Sequence, residues 1–265
     1  MMNVVFSVII PLYNGVNSID NAIKSVLNQT FTNFELIIVD DCSTDGSYDL
    51  VKGYIDERII VLKHKMNSGA AATRNTGIRN AKGTYISFLD SDDFYDLNFL
   101  RKTFDVISKT GSNIGFMWTG YILKEDNKLM ESIWIPKFIN NAYETFLNEL
   151  KIGTGAGITV KREVFHNCSF FNENLKAAED TEFFLKVSKI YDYTYCKDKL
   201  ITICRDGDDR LSKNYKKNAE AYNSFIPSHF LEINKTKLLQ RKYLYKLMWL
   251  NYHIPDKKKS RIYFY

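Results

Sequence analysis

The chain has 265 residues, 45% of them apolar, enough to build a substantial core. No stretch reaches the roughly 18 consecutive apolar residues of a membrane-spanning helix. The opening "MMNVVFSVIIPLYN" also lacks the basic leader and cleavage site of a signal peptide. The net charge of +5 hides an asymmetry, because residues 213–265 carry twelve Lys/Arg against three Asp/Glu. The body is therefore net acidic, which argues against nucleic acid as a partner.

In chain order, "VVFSVII" (4–10) is a β-rich run that Pro11 is expected to end, so the N-terminus reads as a first strand. "SIDNAIKSVLNQ" (18–29) puts Ile19, Ala22, Ile23, Val26 and Leu27 on one helical face. "FELIIVD" (34–40) is a second buried strand, and a helix is predicted over about 46–56. "RIIVLK" (58–63) is a third strand, 69–81 a helix and "TYISFLD" (84–90) a fourth strand. Near-continuous apolar strands alternating with helices predict an α/β fold with a parallel sheet covered on both faces. Helix is expected again at 97–109 and 175–190 and strand at 115–124, whereas "ESIWIPKFI" (131–139) fits neither period.

Ligands of open α/β sheets bind beyond the carboxyl ends of the strands. Two acidic clusters fall there, Asp40-Asp41 after the second strand and Asp90-Ser91-Asp92-Asp93 after the fourth. A D-x-D on a turn can present carboxylates to a hard divalent cation whose remaining positions are phosphate oxygens. A carboxylate at a strand end can instead accept from a base N–H or a ribose hydroxyl, while Asp45 suits the cap of the next helix and Asp96 that of the helix at 97–109. In "NSGAAATRNTGI" (67–78) the helix N-terminus favours anions and Arg74 can pair with phosphate, the small residues Ala70 to Ala72 serving helix–sheet packing. Glu179 and Asp180 in "AAED" match either a helix dipole or a general base that takes a proton from a hydroxyl. Cys42, Cys168, Cys196 and Cys204 lack metal-ligand spacing and read as free thiols of a reducing cytosol. His64, His166, His229 and His253 are scattered and suggest no ligand pair. There is no G-x-G-x-x-G, P-loop or G-x-S-x-G pattern.

Taken together, "SVIIPLYNG", "SVLNQTFTNFELIIVDDCSTDGS", "NSGAAATRNTGI", "GTYISFLDSDDFY" and "NENLKAAEDTEFFLKV" resemble the family 2 glycosyltransferases over about residues 5–190. The resemblance implies the GT-A fold, a Rossmann-like and mostly parallel central sheet flanked by helices. It also implies a nucleotide-sugar donor, Mn²⁺ or Mg²⁺, and inversion at the anomeric carbon. Carried onto this chain, Pro11, Tyr13 and Asp41, with Asp40 nearby, line the uridine pocket. Asn67, Arg74, Asp90 and Ser91 lie along the donor nucleotide, Asp92 binds the metal, and Asp93 approaches the donor sugar or supports the metal site. Asp180 is the implied base and Glu179 orients the acceptor. Related sequences often carry an R-x-H-x-x-S-x-S-like stretch after the last core strand. Here "RDGDDRLS" (205–212) has Gly207 at the His position, so Arg205 or Arg210 is expected to meet phosphate instead.

The expected organisation is a catalytic domain over 1–212, with a nucleotide-sugar half to about 110 and an acceptor half after it. A basic, aromatic-rich helical extension follows over 213–265. That tail either packs on the body as a plain helical extension or lies in a membrane interface. The resemblance favours UDP-glucose or UDP-galactose as donor and a saccharide acceptor on a lipid diphosphate such as undecaprenyl diphosphate. It also implies a cytoplasmic enzyme at the inner face of a bacterial membrane. Two other readings stand beside it. One is a D-x-D phosphohydrolase with Asp90 as nucleophile, although Phe94 occupies the place where such sites have Thr or Val. The other is a nucleotide-sugar-binding module without activity, which the presence of both Asp92 and Asp180 disfavours.

Overall fold

The computed structural model describes residues 4–125, 128–149, 157–205 and 214–254. Its first half follows the periodicity: β1 (Phe6–Leu12), α1 (Ile19–Leu27), β2 (Phe34–Asp40), α2 (Ser47–Lys52), β3 (Ile59–Lys63), α3 (Ala70–Asn80) and β4 (Tyr85–Phe88). These strands pair in parallel in the order β3-β2-β1-β4. The side chains of Val8, Ile10, Leu36 and Ile38 pack with α1, while Ile9, Ile37 and Ile86 pack with α3 on the opposite face. Alternation of this kind lets an unbroken apolar strand serve two cores. Helix α3 lies so close to β1 that a Cβ on Gly77 would sit 2.5 Å from Cγ2 of Ile9.

Pro11 does not end β1, which runs on to Leu12 with Pro11 opposite Val39. The carbonyl of Leu12 accepts from the Asp41 N–H on the β2 side, and that of Ile9 accepts from the Leu89 N–H on the β4 side. Pro11 shares the orientation of Ile9, and β4 pairs no further than Ile9↔Phe88. Its missing N–H therefore removes no ladder bond.

The second half departs from a purely parallel sheet. It consists of β5 (Phe94–Tyr95), α4 (Phe99–Ile107), β6 (Ile114–Glu125), β7 (Lys128–Ser132), α5 (Ala142–Glu149), β8 (Ile158–Lys161), α6 (Arg162–Asn167), α7 (Glu179–Val187) and β9 (Asp192–Cys204). The described strands form one nine-stranded sheet in the order β3-β2-β1-β4-β8-β6-β9-β5, with β7 on β6. The β4–β8, β8–β6 and β9–β5 pairs are antiparallel and the β6–β9 pair parallel. Parallel neighbours require a crossover, which α1, α2 and α3 provide in the first half. The unassigned stretch 131–139 holds the end of β7 and irregular chain, fastened where Trp118 Nε1 donates to the Trp134 carbonyl at 2.8 Å.

The basic tail folds as α8 (Tyr215–Phe225), a 3₁₀ turn (Ile226–His229), α9 (Phe230–Ile233) and α10 (Lys237–Tyr252). Tyr222, Phe225, Ile226, Ile233, Tyr243 and Leu250 enter the same core as Phe183 and Phe184 of α7. Tyr243 Oη donates to the Leu147 carbonyl and Lys242 Nζ to Asn148 Oδ1, which ties α10 to α5. Among the described residues no helix is long and apolar enough to cross a membrane.

Candidate active site

The loops leaving β1 and β2 are laced together at the carboxyl rim of the sheet. Backbone N–H groups of Asn14, Gly15 and Val16 donate to Ser43 Oγ, Ser47 Oγ and Asp45 Oδ2 at 2.9–3.0 Å. Asn14 Oδ1 returns the contact by accepting the Thr44 N–H. Asp45 also accepts from the Ser47 N–H at the start of α2, but Gly46 rather than Asp45 holds the cap position. Among the described residues the non-glycine side chains with positive φ are Asn14, Cys42 and Ala178, and two of them belong to these loops. Such strain persists where the surroundings over-determine it, often at functional sites.

Asp40 and Asp41 divide their work. Asp41 is buried, and its carboxylate accepts the N–H groups of Ser68 and Gly69, both at 2.8 Å, and contacts His64 Nδ1 at 2.7 Å. His64 Nε2 in turn meets Thr76 Oγ1 of α3 at 2.8 Å. Asp41 thus holds the start of α3 and has little acceptor capacity left for a ligand. Asp40 is fully buried, with Oδ2 on the Ser43 N–H and Oδ1 without a hydrogen-bond partner among the described residues. Buried acceptors are seldom left so, and a ligand donor is one way of satisfying them. Tyr13 is half-exposed on the same rim, Pro11 is partly buried, and Asn67 lies exposed ahead of α3.

Arg74 is the hub. Rooted in α3 and largely buried, it donates through Nη2 to Asp90 Oδ1 at 3.0 Å and through Nη1 to Glu179 Oε1 at 2.7 Å. Burial opposes its charge, but Asp90, Glu179 and Asp180 outweigh it and hold the guanidinium above its ordinary pKa. One cation so gathers the end of β4 and the start of α7. Ala178, in the left-handed region at φ 53°, opens α7 directly before the acidic pair. Asp180 Oδ1 accepts the Thr181 N–H at 2.6 Å. Burial and the Glu179 charge push its carboxyl up to about 6, against the pull of Thr181 and Arg74.

The D-x-D turn is held between β4 and β5, with the Asp93 N–H on the Asp90 carbonyl and the Tyr95 hydroxyl on the Phe88 carbonyl. Ser91 faces the β1 loop, its Oγ 3.2 Å from where a Cβ on Gly15 would stand. Asp92 points to solvent. Asp93 turns the other way, buried at 3% exposure with Oδ1 accepting the Cys204 N–H at 2.9 Å. One oxygen of Asp93 is thus engaged at the end of β9, beside Asp92 in the turn. Burial and the charges of Asp90 and Asp92 push its carboxyl up to about 9. Asp96 accepts the Asn98 N–H in a turn before α4, and Asn98 rather than Asp96 is the cap position.

Among the described residues no group of three His, Cys, Asp or Glu side chains could cage a metal by itself. An ion completed by substrate phosphates needs only one or two carboxylates. The exposed Asp92 suits that role, with Asp90 and Asp93 next to it in the turn. Arg210 lies outside the described residues. The N–H of Arg205 donates to the Lys124 carbonyl, and the Arg205 charge acts on Asp93.

Two contacts escaped the sequence reading. His64, for which the sequence suggests no ligand pair, bridges Asp41 and Thr76 of α3. Its place three residues before Asn67, at the end of β3, is the one local signal. Tyr222 of α8 lies 208 residues beyond Asn14 in sequence but reaches α7, where its hydroxyl bonds to the side chain of Thr181 and feels the charge of Asp180. Only the docking of the extension creates that contact.

A mixed α/β sheet with strand-end carboxylates at one rim, an arginine hub and an acidic helix start defines a sugar-transferring enzyme of the GT-A type. The chain belongs to glycosyl transferase family 2, whose family model matches residues 7–169. It is 32% identical over 234 residues to the putative teichuronic acid biosynthesis glycosyltransferase TuaG of Bacillus subtilis, covering 85% of this chain and 90% of that protein. It is 37% identical over 147 residues to the Escherichia coli UDP-Glc:alpha-D-GlcNAc-diphosphoundecaprenol beta-1,3-glucosyltransferase WfgD, covering 56% of each. Of some other bacterial glycosyltransferases it spans only 26% to 28% of the length. Staphylococcus aureus TarS residues 1–349 in complex with UDP-GlcNAc superpose with a TM-score of 0.67 at 20% identity, covering 93% of this chain and 71% of that one. That likeness is one of fold.

Proposed function

We propose that the chain is a metal-dependent inverting hexosyltransferase. Its donor is UDP-glucose or UDP-galactose, and its acceptor is a hydroxyl of a saccharide carried on a lipid diphosphate such as undecaprenyl diphosphate. The product is a β-linked step in bacterial surface-polysaccharide assembly, of the O-antigen or capsule kind, made at the cytoplasmic face of the membrane. The observation that carries the reading is the Arg74 bridge, which brings Asp90 of the donor-side rim to Glu179 beside Asp180. The name of WfgD supports the donor and acceptor classes. In this reading residues 1–212 are the catalytic domain and the helices beyond them an extension that closes its core.

Each residue then has a task. Asp40, with its free acceptor, receives the base N–H, while Asp41 shapes the loop before α3, and the exposed ring of Tyr13 covers the base. Pro11, Asn67, Ser91 and Asp90 border the nucleotide, and Asp92 with the donor diphosphate would hold Mn²⁺ or Mg²⁺. Such an ion supplies Lewis-acid neutralisation of the charge that grows on UDP. The acceptor hydroxyl attacks the anomeric carbon from the face opposite UDP and gives its proton to Asp180, which converts an α-linked donor to a β-linked product. Glu179, held by Arg74, orients the acceptor.

A donor screen tests the proposal by UDP release with Mn²⁺, using GlcNAc- or GalNAc-diphosphate-lipid analogues as acceptors. Acceptor-dependent release from UDP-glucose or UDP-galactose is expected. Asp180→Asn should keep donor binding and lose transfer by about 10²–10⁴-fold. Phosphate release from simple phosphoesters without UDP release would establish the phosphohydrolase instead.

A further inference from the structure

Helix α10 has two apolar faces. Leu239, Tyr243, Leu247 and Leu250, at helical spacing, pack into the core. On the opposite side Leu238, Tyr245 and Tyr252 recur at i, i+7 and i+14 and are 65%, 67% and 79% exposed. Leu244 and Met248 widen this second stripe, and α9 ahead of it exposes Phe230 and Leu231. A helix packed on a globular core ordinarily turns polar residues outward, so large side chains here mark an interaction surface. The stripe is about 21 Å long at 1.5 Å per residue.

Charge identifies what covers it. The helix carries Lys237, Arg241, Lys242 and Lys246 and no acidic residue. Lys242 and Lys246 turn toward Asn148 and Tyr222, but Lys237 and Arg241 are exposed beside the stripe, and a second copy meeting this face through a two-fold axis would set those two cations against themselves. An anionic bilayer accepts both features, since cations meet lipid phosphates while Leu, Tyr and Met enter the headgroup–acyl boundary. We infer that the exposed stripe of α10 docks the protein, with the helix axis in the membrane plane, on an anionic phospholipid surface while the opposite face of the same helix closes the core. Packing and membrane contact, alternatives at the level of sequence, are thus two faces of one element.

The placement also connects to the candidate chemistry. Lys246 of α10 lies over the Tyr222 ring at 5.4 Å, and Tyr222 bonds to Thr181 beside Asp180. The docked helix is therefore one helix away from the proposed base, where a lipid-carried acceptor arrives. The purpose of the surface rests on the proposed function; the binding does not.

Co-sedimentation of the full chain with phosphatidylcholine vesicles, with and without phosphatidylglycerol, tests the inference. Wild type should bind the anionic vesicles at least about tenfold more tightly than the neutral ones. Leu238→Ser with Tyr245→Ser and Tyr252→Ser should weaken that binding by about tenfold or more. Lys237→Glu with Arg241→Glu should abolish the preference for phosphatidylglycerol. Circular dichroism, and UDP release with a water-soluble acceptor, should not change in either variant. Wild type that ignores anionic vesicles, or a triple variant that binds as tightly as wild type, overturns the inference. So does a doubled mass on size exclusion that the triple variant loses, which would assign the stripe to a second copy. Vesicle binding without UDP release would instead count against the glycosyltransferase reading alone.

Discussion

Asp180 illustrates how a residue acquires a property that its type does not confer. Its carboxyl sits at about 6 rather than 3.8 because burial and Glu179 penalise the charge more than Thr181 and Arg74 relieve it. A proton is then held more tightly in the folded state, so its contribution to stability is full below about 3.8 and is lost as pH rises through about 6. Activity has the opposite sign, because a base works ionised. The rate with saturating donor should climb about tenfold per pH unit below about 6 and level off above it. A pH–rate profile that is flat through this window would remove Asp180 as the base. Arg74 has a different character: one partner, Glu179, is as buried as itself, and the other, Asp90, is more than a third exposed. Its value lies in joining α3 to the start of α7, with Glu179 105 residues on in sequence, more than in the strength of either pair, since buried pairs lose much of their attraction to desolvation.

Among the elements, α8 connects the tail to the site. Tyr222 is buried, and burial with the Asp180 charge lifts its hydroxyl to about 12 against the pull of the Thr181 hydrogen bond. Tyr222→Phe keeps the ring and removes that one contact. We expect a several-fold fall in kcat with little change in donor KM, and a shift in the acid limb of the pH profile. A merely structural role would leave that limb where it is. Packing of α3 on β1 makes a second test. Gly77→Ala forces its methyl into Ile9 and should cost about 1–3 kcal/mol in urea unfolding. An unchanged midpoint would mean that α3 can move away from the sheet.

In the whole molecule one sheet runs from the acidic carboxyl rim of the first half to the strands of the second, so the two halves share their hydrogen bonds at β4–β8. Negative charge is collected at its carboxyl rim and positive charge in the tail. If a divalent ion supplied with the donor relieves the former, a chelator should abolish UDP release and leave the thermal midpoint of the ligand-free protein within about 1 °C, because no described cage of three side chains ties a metal to folding. Loss of the midpoint together with activity would instead reveal a structural metal.

Most of the first half was legible in the chain, because short-range periodicity directly encodes which face of a strand or helix is buried. The identity of the rim was legible for the same reason, since Asp40, Asp41, Asp90 and Asp92 follow strands whose ends share one side of a parallel sheet. What the sequence by itself determined is therefore the parallel βα frame and the residues gathered at its edge. Tertiary structure alone decided that Pro11 lies within β1, that the second half mixes strand directions, and that Asp93 turns inward to Cys204. It also decided that Asp41 is spent on Ser68, Gly69 and His64, and that α10 is apolar on two sides. Each depends on a partner distant in sequence, and no local pattern records which distant backbone group or side chain will satisfy a given donor, acceptor or apolar face.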